Sequence, residues 1–194
     1  MSMKINIIVI LLYVCAVIPT YAQTANPDTK NLTKEERKAL KKAKKEEEKR
    51  KLEEDLVKFE QYAEMRAWVI EAHTVYDKQG LSFQMDPTIN FVGINNEETT
   101  VQLSFNGIAG WNGVGGVTLD GKISKYEYSR DKNTVSIKMS TMGASLGNVD
   151  IFLSISGRDN ARATVSGNWG ERITFQGRFV SLAESRVYKG STTY

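Results

Sequence analysis

The chain has 194 residues, with 26 lysines and arginines against 23 aspartates and glutamates, and a formal charge of +3. So small an imbalance gives no electrostatic footprint for nucleic acid, and the length suits one domain with an accessory segment. A single cysteine, Cys15, and a single histidine, His73, exclude a disulfide framework and any zinc site built on several histidines.

Lys4 precedes an apolar run from Ile5 to Ile18, and Thr20-Tyr21-Ala22 sets small side chains where a signal peptidase reads. The run is about 14 residues, short of the roughly 20 needed to cross a bilayer, and no second run follows. The expectation is an export signal over 1–22, cleaved between Ala22 and Gln23, and a soluble protein of the periplasm or envelope. Val14 is bulky where a lipid-attachment motif needs a small residue, so lipidation at Cys15 is not expected. Peripheral membrane contact stays open.

Residues 23–32 are polar, contain Pro27 and lack periodicity, which describes a flexible linker. Thr33 and Glu36 then form a capping box, and no glycine or proline follows before Ala67. A helix over 33–66, about 34 residues and roughly 50 Å long, is predicted. In residues 34–51 Leu40 is the one apolar side chain larger than alanine, so this half has nothing to bury. Its mixed lysines and glutamates describe a solvated face; the alternative is a spacer or a contact for an anionic surface. Leu52, Leu56, Phe59 and Ala63 recur at intervals of four, three and four, drawing a stripe that docks the second half on the domain that follows. The first half lacks the a and d heptad positions of a coiled coil, and a monomer is expected.

From Ala67 the pattern becomes alternation broken by turn signals, the signature of an antiparallel β domain. Val101, Leu103 and Phe105 alternate with Thr100, Gln102 and Ser104. Val135, Ile137 and Met139 do the same, as do Ile173, Phe175 and Phe179. Each such strand is expected to have one buried and one wet face. Phe152 points away from Ile151 and Leu153 and needs cover, for which the helix is the candidate. Strands are predicted near 67–76, 81–85, 89–94, 99–106, 116–128, 134–142, 148–156, 161–167 and 171–180. Eight or nine strands make a sandwich, a half-barrel or a small closed barrel. In the strand from Gly116 to Tyr128 the apolar parity switches, which calls for a β-bulge near Ser124-Lys125.

The densest local feature is Asn106 to Gly116, with five glycines in eleven residues around Trp111. Such a loop lets a ligand or partner approach, with Asn106, Trp111 and Asn112 as contacts; the alternative is a wide connection whose tryptophan folds back on the core. Gly116 to Lys122 spells GxxxxGK, but Ile123 stands where the magnesium-binding Ser or Thr belongs and no helix follows, so the match is fortuitous. His73 is placed by alternation on the face of Glu71 and Val75, as a strand histidine with ordinary polar contacts. No GxSxG, calcium-loop spacing or marked carboxylate pair is present, so no catalytic residue, metal or cofactor is assigned. Arg162, Arg172 and Arg178 fall on the outward parity of neighbouring strands and form a candidate basic face. Exposed strand arginines also serve to keep edges apart.

Several segments taken together resemble a known family: Phe91 to Asn95, Val101 to Gly107, Asn112 to Lys122, Arg172 to Gly177 and the closing Glu184 to Gly190. They look like the domain of unknown function DUF4251, small exported proteins typical of Bacteroidetes, over roughly residues 50–190. The resemblance implies location and domain boundaries, and no activity. The expectation is therefore an exported envelope protein acting as a non-enzymatic binding or interaction module, with an envelope protein or a small ligand as partner. The alternatives are a carrier of a small hydrophobic ligand inside a barrel and, less favoured, a carboxylate-based hydrolase. The carrier is ruled out if Val101, Phe105, Val117, Leu119, Ile137, Ile151, Leu153, Phe175 and Phe179 fill the interior.

Overall fold

The computed structural model describes residues 33–105, 113–143, 147–167 and 172–192. The chain divides into two units, Met1–Lys42 and Ala43–Tyr194. In the first, the helix α1 (Lys34–Met65) starts on the capping box. The Thr33 backbone N–H donates to Glu36 Oε2 at 2.8 Å, and the Glu36 N–H donates to Thr33 Oγ1 at 3.3 Å. These bonds satisfy donors that have no carbonyl partner at a helix start.

The second unit is mainly β. Its strands are β1 (Ala67–Tyr76), β2 (Ser82–Gln84), β3 (Phe91–Asn95), β4 (Glu98–Leu103), β5 (Val117–Asp131), β6 (Thr134–Gly143), β7 (Gly147–Ile155), β8 (Ala161–Gly167) and β9 (Arg172–Ser181). Each pairs antiparallel with its neighbour in the order β2-β1-β3-β4-β5-β6-β7-β8-β9, and β9 pairs back on β1. This closes an eight-stranded barrel, with β2 as an extra strand. Of the three architectures the alternation allowed, the closed barrel is the one formed. Closure is the pairing of β9 with β1, and five consecutive residues of β1, Trp68 to Ala72, are buried, so this strand is covered on both faces.

Two bulges shape the wall. In β5 the register with β6 shifts between Ile123 and Lys125, so Ile123 and Tyr126 both pack on the core despite their opposite parity. In β1 the register with β9 shifts between Ala72 and Thr74. His73 is the extra residue: it is exposed, its ring Nδ1 meets Thr74 Oγ1 at 2.9 Å, and its carbonyl accepts the Met85 N–H at 2.9 Å. The shift corrects the expected placing of His73, because Glu71 now faces outward and Val75 inward. Opposite this bulge a Cβ on Gly177 would sit 1.9 Å from the Glu71 carbonyl oxygen, so no other residue fits there.

The interior is a continuous apolar cluster that includes Ile70, Ile137, Ile151, Leu153, Phe175 and Phe179, none more than 1% exposed. Leu56, Phe59 and Ala63 of α1 belong to the same cluster. Phe59 meets the Phe179 ring edge-on at 5.4 Å, and Trp68 lies 5.5 Å from it on the other side. Tyr126 Oη donates to the Ala63 carbonyl at 2.8 Å and accepts from Trp68 Nε1 at 3.2 Å. Arg130 reaches Glu60 at 3.1 Å and also binds Glu53. The helix thus packs on the barrel through the end that carries Trp68, Tyr126 and Phe179. It does not cover Phe152, which stays 44% exposed on the outer face of β7; an apolar stripe of α1 finds more area on an open barrel end than on one outward ring. Phe105 and Val117 are likewise outside the interior expected for them, at 50% and 37% exposed, because β4 has ended at Leu103 and β5 only begins at Val117.

Candidate functional site

At the end of the barrel away from α1, β2 takes over from β3 along β1: Ala67 to Glu71 pair with β3, and Thr74 to Tyr76 pair with β2. Among the described residues β2 pairs with β1 alone, so the wall is open between β2 and the end of β4. A mouth of about 340 Å³ lies there, with Val75, Phe83, Met85, Leu103, Phe105 and Ile173 as its apolar lining and Tyr76, Asp77, Lys78, Gln79 and Arg172 as its polar one. Phe83 and Phe105 are about half exposed, 47% and 50%, which is unusual for two aromatic rings on one concave surface. Asp77 is committed to its own turn, where its Oδ1 accepts the N–H groups of Gln79 and Leu81, both at 2.9 Å.

A second concavity of about 550 Å³ lies on the outer face of β5 to β9. Lys125, Ser140, Asp150, Ser166 and Arg172 stand opposite one another in a single row across the five strands. Most of its charge is answered locally: Lys125 pairs with Glu127 at 3.1 Å, and Ser140 Oγ donates to Asp150 at 2.6 Å. Arg172 lines both concavities and therefore stands on the lip between them.

On the face of β1, β3, β4 and β5 the polar groups are largely taken up by the chain itself. Residues 185–192 run as a strap over the outside of β1, β3, β4 and β5. The Arg186 N–H donates to Glu71 Oε1 at 2.8 Å, the Tyr188 N–H to the Thr88 carbonyl at 2.7 Å, and the Gly190 N–H to Gln102 Oε1 at 2.8 Å. Val187 packs on Val69, Phe91 and Val180. The strap corrects the wet face expected for β4, since Gln102 and Ser104 are fully buried. Asp120 binds the strap through Lys189, at 2.8 Å, and Thr192. Burial pushes its carboxyl up, but hydrogen bonds from Lys189, Thr192 and Thr100 outweigh that and hold it below its ordinary value.

The three arginines of the outward parity share a face but not a site. Arg178 is tied to Glu71 at 2.9 Å and only 26% exposed. Arg162 donates to Gln176 Oε1 at 2.6 Å and stacks over the Tyr76 ring at 5.2 Å. Arg172 alone of the three lines the mouth. Asn106, Trp111 and Asn112 lie outside the described residues, as do Ala22 and Gln23. Among the described residues no group of three or more His, Cys, Asp or Glu side chains comes together, and no helix is long and apolar enough to cross a membrane.

The family model for the domain of unknown function DUF4251 matches residues 50–179, two thirds of the chain. The chain belongs to the DUF4251 family. The crystal structure of a DUF4251 family protein from Bacteroides eggerthii DSM 20697 is similar at 32% identity and a TM-score of 0.52, over 63% of this chain and 84% of that one. No curated protein matches. The DUF4251 match begins in the docking half of α1 and ends at Phe179, so the strap, residues 185–192, lies beyond the matched span. Sequence reasoning missed Phe83, Met85, Leu103 and Ile173 as mouth residues. The available signal was the short run Ser82 to Met85, held between Gly80 and Asp86-Pro87, which is too brief to cross a barrel wall.

Proposed function

We propose that this DUF4251 protein is a non-enzymatic binding module of the bacterial envelope, directed there by residues 1–22, and that it binds a small apolar ligand at the barrel mouth. The observation that carries the reading is the contrast between the two parts of the barrel. The interior is occupied by its own side chains, whereas the mouth leaves two half-exposed aromatic rings around an apolar concavity. A carrier that encloses its ligand in the barrel is disfavoured, because Phe175 and Phe179 stand where the ligand would go. A carboxylate hydrolase needs two acids converging on one cleft. Among the described residues the mouth has one acid, Asp77, whose Oδ1 is already bound to two backbone N–H groups.

Native mass spectrometry of the protein purified gently from its own cell envelope tests the reading. The expected result is a chain beginning at Gln23 that retains a mass of a few hundred daltons, and a Leu103→Glu variant that retains none. A wild-type protein that comes out bare and takes up no apolar probe overturns it.

A further inference from the structure

We infer that the ligand of the mouth is a single-chain amphiphile with a carboxylate head, and that Arg172 receives that head. The inference rests on the mouth reading above and adds the chemistry of the ligand. Its basis is the state of Arg172 compared with the arginines of the barrel strands and turns; Arg66 and Arg186 also show no acid partner, but neither lines the mouth. Arg130, Arg158 and Arg178 each have a carboxylate within reach, at 3.1, 3.5 and 2.9 Å. Arg162 has Gln176 and the Tyr76 ring. Among the described residues Arg172 has no acid and no side-chain hydrogen bond; opposite it in the sheet stands Ser166. A guanidinium offers a planar fork that fits a carboxylate with two parallel hydrogen bonds, and one left unpaired beside an apolar surface is poised to take one.

The rest of the mouth fits the tail. Its volume of about 340 Å³ is near the small end of the roughly 300–1,000 Å³ of ligand pockets, which suits one chain of about ten carbons and not a diacyl lipid. Met85, Leu103 and Ile173 give that chain a flexible apolar bed, and Phe83 and Phe105 give it exposed aromatic faces. The rim acid, Asp77, has its Oδ1 turned to the Gln79 and Leu81 amides and forms no ion pair with Arg172.

The test titrates the full protein with decanoate, decanol and decyltrimethylammonium, below their micelle concentrations, by calorimetry and by amide shifts at Phe83, Met85 and Leu103. Decanoate is expected to bind about tenfold tighter than decanol, and the cation weakest. Arg172→Gln should bring decanoate down to the level of decanol and leave decanol unchanged; Arg172→Lys should keep part of the preference, since it keeps the charge without the fork. Because Arg172 is exposed, both variants should fold, which their melting curves check. Equal binding of decanoate and decanol, or an unaltered preference in Arg172→Gln, overturns the carboxylate inference and leaves the mouth reading standing. If neither probe binds, or if only phosphatidylglycerol vesicles do, the mouth reading itself falls and the inference with it.

Discussion

Gln102 grips Gly190 from the far side of the domain sequence: its Oε1 accepts the Gly190 N–H at 2.8 Å while its Nε2 donates to the Tyr188 carbonyl at 2.8 Å. The same side chain donates to the Ile89 carbonyl at 3.0 Å and accepts from Thr118 Oγ1 at 2.9 Å, so a fully buried amide is satisfied at every atom. Replacement by leucine keeps the volume and takes away the acceptor of the Gly190 N–H and the donor to the Ile89 and Tyr188 carbonyls. Gln102→Leu is expected to cost about 2–4 kcal/mol in urea unfolding and to raise amide exchange at Gly190. Unchanged exchange there would mean that the strap is held by its other contacts.

Asp120 makes that attachment sensitive to acid. Its carboxyl is held below its ordinary value in the folded state, so the stabilisation is complete above the unfolded value of 3.8 and fades as pH falls below it. Protection of the Lys189 and Thr192 amides should be flat from neutrality down to about pH 4 and then drop. In Asp120→Asn it should be lower throughout and lose that step.

Tyr126 behaves oppositely at high pH. Burial raises its phenol to about 12 from 10.0, so the folded state favours the neutral hydroxyl that donates to Ala63. Its contribution is whole below pH 10 and is lost as pH rises through 12. A difference ultraviolet titration of the wild type against Tyr126→Phe should show the missing tyrosine as the late-titrating one; a difference centred at pH 10 would contradict this.

Phe59→Ala removes the ring that meets Phe179 edge-on at 5.4 Å on the helix side of the core. Loss of a buried phenylalanine costs about 3–5 kcal/mol, and here it also loosens α1 over Trp68. Melting temperature should fall and Trp68 fluorescence should shift to longer wavelength. A lowered melting point without the spectral shift would place the damage elsewhere than the helix contact.

Much of the barrel was legible because β6 and β7 obey strict alternation: Val135, Ile137 and Met139 face in, and Lys138 and Phe152 face out. The bulge at Ser124 was legible too, since only an extra residue lets Ile123 and Tyr126 share a core. What escaped was whatever depends on a remote segment. Gln102 reads as a wet-face residue until the strap, more than eighty positions later, covers it. His73 reads as regular strand until Gly177 is seen opposite the bulge. The mouth escaped because Phe83 and Phe105 carry the same local signal as core aromatics, and only the unpaired side of β2 leaves them outside.

The strap also sets the order in which the domain is able to finish folding. Glu71 in β1 finds a partner at Arg186, 115 positions downstream, and Gln102 finds one at Gly190, 88 downstream. Contacts so far apart in sequence raise contact order and slow the final step. Until residues 185–192 are laid across the sheet, the buried acceptors of β1 and β4 lack these partners, so the strap is the last piece of the domain to be fixed.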